Sequence, residues 1–117
     1  MWEAKLKMPN YKVFYFQTSR GDYPVREFIE QQDKATQTKI ARSIRLLIDY
    51  GPFLKPPDIK KLQDKLYELR IPGKTAIRVF YTIVSSEYYL LHAFKKKSQK
   101  IQKKELKVAV DRIREIV

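Results

Sequence analysis

Residues 77–97 read IRVFYTIVSSEYYLLHAFKKK and follow closely on KLYELR at residues 65–70. β-Branched and aromatic residues dominate two runs, 76–84 and 88–95, and the polar segment Ser85-Ser86-Glu87 separates them. This pattern is typical of a β-hairpin. Residues 66–70 predict a third, shorter strand, followed by a turn at Gly73. The C-terminal half of the chain therefore predicts a small sheet.

The N-terminal half adds one strand and two helices. Residues 11–17 (YKVFYFQ) predict a strand, and a first helix is predicted to begin near Pro24. Asp33 is predicted to cap a longer second helix that ends at Gly51-Pro52. These helices should form a hairpin across the sheet, and residues 53–64 a Pro-rich connector.

A last helix is predicted from about Gln102, because apolar residues recur there at helical spacing. The predicted order is β-α-α-β-β-β-α in one domain over residues 1–117, and the fold class is α+β.

Alternation along the later strands divides their side chains between two faces. One face is apolar and should receive the helices: Tyr67, Leu69, Ile77, Val79, Tyr81, Ile83, Tyr89, Leu91 and Ala93. The opposite face is mixed: Glu68, Arg70, Arg78, Phe80, Thr82, Tyr88, Leu90, His92 and Phe94. Arginine pairs well with phosphate, and exposed aromatic rings stack on unpaired bases. The mixed face thus suits RNA, with Phe80 and Phe94 as stacking residues; the alternative is that both rings fill a second small core.

Charge points to the same class of partner. The chain has 25 Lys and Arg against 13 Asp and Glu, a net charge of +12. Residues 53–117 carry 16 basic and 7 acidic residues, a net +9, and six lysines fall between Lys95 and Lys104. Such a net positive charge attracts a phosphate-rich polymer. The alternative is that the Lys-rich surface only keeps the protein soluble.

Composition limits the chemistry and the compartment. There is no cysteine and one histidine, which excludes disulfides, thiolate zinc sites and His-rich metal sites. We expect no metal and no cofactor. The N-terminus has no signal-peptide pattern, and no run approaches the roughly 18 apolar residues of a membrane span. We therefore expect a soluble, cytoplasmic protein without a membrane partner.

The chain resembles the HigB branch of the RelE/ParE toxin superfamily, the toxins of bacterial and phage toxin–antitoxin pairs. The resemblance rests on the joint order of several short motifs: residues 11–29 (YKVFYFQTSRGDYPVREFI), 49–52 (DYGP), 55–57 (KPP), 60–62 (KKL), 66–70 (LYELR), 78–81 (RVFY), 90–97 (LLHAFKKK) and 103–116 (KKELKVAVDRIREI). Residues 1–10 lie outside it, as an extension that is either disordered or paired at a sheet edge.

The resemblance implies a RelE-like sheet packed by an N-terminal helical hairpin and a C-terminal helix. It also implies a ribosome-dependent, metal-independent endoribonuclease that cuts translated mRNA and leaves a 2′,3′-cyclic phosphate. Its partners would be the ribosome, mRNA and a helix-turn-helix (HigA-like) antitoxin. Two alternatives stay open: a gyrase inhibitor of the ParE branch, and a nucleic-acid-binding relative without toxicity.

Residue by residue, the resemblance implies that Arg78 and Arg70 belong to the active face, with Arg78 as a ligand of the transition-state phosphate. One basic residue after the last strand should join them; Lys96 shares the parity of His92 and is preferred, with Lys95 and Lys97 beside it. Relatives carry a tyrosine just beyond this position, whereas residues 98–105 (SQKIQKKE) contain none.

The acid–base groups stay open. His92 is either a general acid or base, since its ordinary pKa lies near 6.5, or a packed strand residue. Glu68 is either a second base candidate or a partner of Arg70. The lysines at the start of the last helix either attract ribosomal RNA or form a solvated helix face: Lys100, Lys103, Lys104 and Lys107.

Overall fold

The computed structural model describes residues 10–116. Within them, five strands form one mixed sheet: Val13–Tyr15 (β1), Ile59–Gln63 (β2), Leu66–Ile71 (β3), Ile77–Val84 (β4) and Glu87–Lys95 (β5). Three α-helices accompany the sheet: Pro24–Glu30 (α1), Lys34–Tyr50 (α2) and Lys103–Ile116 (α3). A 3-10 turn, Gly51–Phe53, follows α2 directly. The α+β class is confirmed.

The strands lie in the order β1-β5-β4-β3-β2. Strands β2 to β5 are antiparallel neighbours, whereas β1 runs parallel to β5, with Val13 opposite Tyr88. Among residues 10–116, the first strand thus pairs with the last, and β1 and β2 form the two edges of the sheet.

The predicted order of elements was wrong in one respect. Residues 53–64 were expected to be a Pro-rich connector, but Ile59–Gln63 forms strand β2 and pairs with β3. Its two lysines, Lys60 and Lys61, are exposed and break the apolar pattern of a strand. Lysine is common on edge strands, where charge discourages further pairing, and neighbouring strands impose the extended conformation.

Local signals explain the helical hairpin. Pro24 lies in the first turn of α1, where its fixed φ suits the helix and a missing N–H does no harm. The side chain of Asp33 accepts a hydrogen bond from the backbone N–H of Thr36 at 2.7 Å, so the predicted N-cap of α2 is confirmed. Gly51 ends α2 with φ 48°, and a Cβ there would meet the ring of Tyr11 at 2.6 Å. This position therefore requires glycine.

The sheet separates two hydrophobic clusters. The hairpin cluster joins α1 and α2 to one face of the sheet, through Val25, Ile40 and Leu47 of the helices. The α3 cluster lies on the opposite face, where Ala109 and Ile113 pack against the sheet. Because α3 covers part of the face that was expected to stay open, only the rest of that face is free to bind a ligand.

A β-bulge in β5 corrects the predicted parity of that strand. Phe80 of β4 lies opposite His92, whereas the next residue, Tyr81, lies opposite Leu90, so Leu91 is an extra residue. Tyr88 and Leu90 consequently belong to the hairpin cluster, and Tyr89 and Leu91 to the α3 cluster, the reverse of the prediction. The parity of β3 and β4, and of Ala93 and Phe94 beyond the bulge, was predicted correctly.

The predicted N-terminal extension, residues 1–10, lies outside the described residues except for Asn10. Among the helices of residues 10–116, none is long and apolar enough to cross a membrane.

Candidate functional site

Arg70 and Arg78 face each other directly across strands β3 and β4. Strand alternation places both guanidinium groups on the same face, as the sequence predicted. Two like charges in directly opposed positions repel each other and require a compensating group.

The carboxylate of Glu68 supplies this compensation. It is only 1% exposed, and its Oε1 accepts a hydrogen bond from Nε of Arg70 at 3.0 Å. Its Oε2 lies 3.7 Å from Nε of Arg78, and both of these atoms are buried without a hydrogen-bond partner among the described residues. Nη1 of Arg78 donates to the backbone oxygen of Ile77 at 3.0 Å. Glu68 thus lies between the two guanidinium groups. It holds Arg70 by a hydrogen bond and attracts Arg78 by charge.

Both arginines line a cavity of about 310 Å³ at the end of the sheet, here called the arginine pocket. Asp58, just before β2, also lines it, and the backbone oxygen of Asp58 accepts a hydrogen bond from the N–H of Arg70 at 2.9 Å. Asp58 was not among the residues predicted from the sequence, because residues 53–64 were expected to form a connector. Recognising β2 would have placed Asp58 beside Arg70.

A second cavity of about 480 Å³ adjoins the first, since Ala76 and Arg78 line both. Lys96, Lys97, Ser98 and Gln99 also line it, and this cavity is called the mixed pocket. The backbone N–H of Lys96 donates to the oxygen of Ala76, which fixes the segment after β5 beside the start of β4. The structure therefore brings together Arg70, Arg78, Lys96 and Lys97, as the sequence predicted.

The remaining lysines lie around a third cavity of about 510 Å³, between α1, the end of β5 and the start of α3. Lys95, Lys100 and Lys104 line it together with Lys96 and Lys97. Lys103 is exposed at the first position of α3. A continuous cationic surface thus extends from the two arginines to the start of α3.

His92 is placed differently from the arginines. Its Nε2 lies 2.8 Å from Oε1 of Glu105 in α3, and its ring stacks on that of Phe94 with centroids 5.4 Å apart. It lines neither the arginine pocket nor the mixed pocket. An ionised carboxylate only accepts hydrogen bonds, so the hydrogen of a neutral His92 lies on Nε2. The pair joins β5 to α3.

Burial lowers the pKa of His92, and the hydrogen bond to Glu105 opposes this effect only in part. In the unfolded chain the residue titrates near 6.5, so on acidification the unfolded state takes up this proton before the native state does. The titration of His92 therefore leaves the free energy of unfolding unchanged at higher pH, and it lowers this free energy as the pH falls below about 6.5.

We expect the wild-type chain to lose more stability than His92→Gln between about pH 7.5 and about pH 5.5. Urea unfolding of both proteins at the two pH values measures this difference. An equal or greater loss in His92→Gln would show that this histidine does not destabilise the native state in acid.

Phe80 and Phe94 both lie in the α3 cluster. Phe80 is 0% exposed and Phe94 is 8% exposed, and their rings pack edge to face with centroids 5.0 Å apart. This burial contradicts the prediction that they stack on RNA bases, because α3 covers the ring faces that a base would need. The alternative, a second small core, is the observed arrangement.

The described residues contain no group of three or more His, Cys, Asp or Glu residues arranged to hold a metal ion. Among curated protein sequences, none matches this chain. A family model does match it: residues 27–114 fit the phage-derived protein Gp49-like (DUF891), a span that contains every candidate site residue named above. The chain therefore belongs to the Gp49-like family of phage-derived proteins, a family of RelE/HigB-like toxins of toxin–antitoxin systems.

Proposed function

We propose that this chain is a toxin of the HigB type that cuts mRNA on the ribosome without a metal and thereby inhibits translation. A toxin of this family pairs with an antitoxin, and we propose a helix-turn-helix (HigA-like) protein for that role. The observation that carries the proposal is the convergence of Arg70, Arg78, Lys96 and Lys97 on two adjoining pockets. Cationic donors of this kind stabilise the charge that collects on a phosphate under attack.

In the proposed reaction the ribose 2′-hydroxyl of mRNA attacks the adjacent phosphorus atom. The bond from phosphorus to the 5′-oxygen breaks, so the products are a 2′,3′-cyclic phosphate and a 5′-hydroxyl. One proton leaves the 2′-oxygen and one is added to the 5′-oxygen. Arg78 lines both pockets and is the preferred ligand of the non-bridging oxygens, with Arg70 on one side and Lys96 on the other.

We propose that the side chain of Asp58 is the general base that removes the proton of the 2′-hydroxyl. Asp58 lines the arginine pocket together with Arg70 and Arg78. The two earlier candidates are engaged elsewhere, since Glu68 is buried against the arginines and His92 is bonded to Glu105. A general base must lie within reach of the proton that it removes, and position favours Asp58.

Asp58→Asn is expected to lower the cleavage rate about 10²- to 10⁴-fold, the usual range for a general base, and to leave antitoxin binding unchanged. Cleavage of a defined mRNA in a purified translation mixture measures the rate. Asp64→Asn, an exposed carboxylate between β2 and β3, is the matched control. Wild-type cleavage by Asp58→Asn would remove Asp58 from the mechanism.

The lysines around the third cavity have a different proposed role. Lys95, Lys100, Lys103 and Lys104 extend the cationic surface away from the arginines, where they attract the phosphates of ribosomal RNA. Neutralised phosphates release counterions, so ribosome binding should weaken as salt rises.

Primer extension on mRNA from cells that express the chain without its antitoxin tests the proposal. Cuts at codon-related positions, present with wild-type protein and absent with an inactive variant, would support it. Intact mRNA with DNA damage would favour inhibition of gyrase, and harmless expression would favour a nucleic-acid-binding relative without toxicity. Either of the last two results would overturn the nuclease proposal.

A further inference from the structure

We propose that Glu68 is a positioning residue that orients the guanidinium groups of Arg70 and Arg78 toward the bound phosphate. This inference rests on the proposed nuclease function. It assigns to the buried carboxylate a role in which it touches neither the substrate nor the reacting atoms.

The burial of Glu68 indicates a role for its charge. Glu68 is 1% exposed, although a carboxylate in a protein interior is costly unless it is paired. A leucine or glutamine would be easier to bury opposite Phe80, its neighbour on β4. The carboxylate is instead placed where it meets the Nε atoms of two arginines, so its charge acts on both of them.

Glu68 and the backbone engage only part of each guanidinium group. A guanidinium group has five N–H donors in a rigid plane. Glu68 engages Nε of Arg70, and the backbone oxygen of Ile77 engages Nη1 of Arg78. Within residues 10–116, Nη1 and Nη2 of Arg70 and Nη2 of Arg78 make no hydrogen bond, so they can serve a ligand in the pockets that these residues line. A guanidinium group that is held along one edge presents its other edge to a ligand at a fixed angle. Such preorganisation lowers the free-energy cost of stabilising charge.

The distances from the Glu68 carboxylate to the two arginines are unequal. Glu68 is 3.0 Å from Nε of Arg70 but 3.7 Å from Nε of Arg78, beyond hydrogen-bond reach. The carboxylate therefore fixes Arg70 firmly and restrains Arg78 by charge. Loss of the Glu68 charge should release both arginine side chains, and the gain in mobility should be larger for Arg70.

Glu68→Gln tests the inference because it preserves the shape and removes the charge. We expect its turnover on translating ribosomes to fall about 10- to 100-fold, while the half-saturating ribosome concentration changes less than twofold, as for misplacement of a catalytic group. The matched control is Glu87→Gln, which alters a carboxylate of β5 that accepts a hydrogen bond from the hydroxyl of Tyr89. Wild-type turnover in Glu68→Gln, or a fall matched by Glu87→Gln, would overturn the inference.

A second measurement reads the arginines directly. In ¹H–¹⁵N spectra of the wild-type chain, we expect the Nε–H of Arg70 to exchange with water at least about tenfold more slowly than that of the exposed Arg42. In Glu68→Gln the Arg70 signal should shift and its exchange should accelerate. Equal exchange of Arg70 and Arg42 in the wild type would overturn the inference even if Glu68→Gln did not fold. If the wild-type chain cut no RNA, the proposed function would fail, whereas the spectra would still decide whether Glu68 holds the arginines.

Discussion

Arg78→Ala is expected to lower mRNA cleavage about 10²- to 10³-fold and to abolish growth arrest in cells without antitoxin. The candidate site residues are Arg70, Arg78, Lys96 and Lys97. Among these four, only Arg78 lines both the arginine pocket and the mixed pocket. Its side chain is 15% exposed, so the bound phosphate would meet it in a largely desolvated place. Removing a preorganised donor there withdraws stabilisation that the reaction needs only as negative charge collects.

Two further variants sharpen this test. Arg78→Lys keeps the charge but loses the planar donor group, so its activity should lie between those of the wild type and Arg78→Ala. Arg114→Ala removes an arginine whose side chain is 76% exposed in α3, and it should behave as wild type. Circular dichroism and antitoxin binding verify that each variant folds. Undiminished toxicity of a folded Arg78→Ala would show that the active face lies elsewhere.

Phe80→Ala is expected to lower the free energy of unfolding by about 3–5 kcal/mol. The ring is fully buried between β4 and α3, and it contacts the rings of Phe94 and His92 edge to face. Its removal leaves a cavity beneath α3, in the cluster where Ala109 and Ile113 pack against the sheet. Urea unfolding followed by circular dichroism measures the loss.

Phe53→Ala is the matched control, because it removes the same side chain from a site that is 66% exposed. Its effect should stay within about 0.5 kcal/mol. If Phe80 stacked on RNA, Phe80→Ala would lose activity at nearly wild-type stability. That outcome would contradict the packing described for α3.

The features that the sequence predicted correctly depend on neighbouring residues. Asp33 caps α2 through Thr36, three positions away. Strict alternation in β3 and β4 placed Arg70 and Arg78 on one face, because an unbroken strand turns each successive side chain to the opposite side. The location of Lys96 and Lys97 near Arg78 was predicted because these residues continue β5, the strand that pairs with β4.

The features that it missed depend on residues far apart in the chain. Parity in β5 failed because the extra residue, Leu91, leaves no mark in the alternation of an apolar run. The burial of Phe80 and Phe94 depends on α3, which packs on one face of the sheet for reasons of tertiary fit. Asp58 was missed because β2 becomes a strand only through its pairing with β3.

The parallel pairing of β1 with β5 has a consequence for the time at which the protein becomes folded during its own synthesis. Val13 lies opposite Tyr88, 75 positions (88 − 13) later in the chain. Closing so long a loop carries an entropic cost, and pairings of this kind form late and slowly. β1 cannot join the sheet until the ribosome has made β5, and α3 follows β5. A growing chain therefore holds Arg70 and Arg78 without a finished sheet around them, and its complete cationic surface forms only after β5 and α3 have been synthesised.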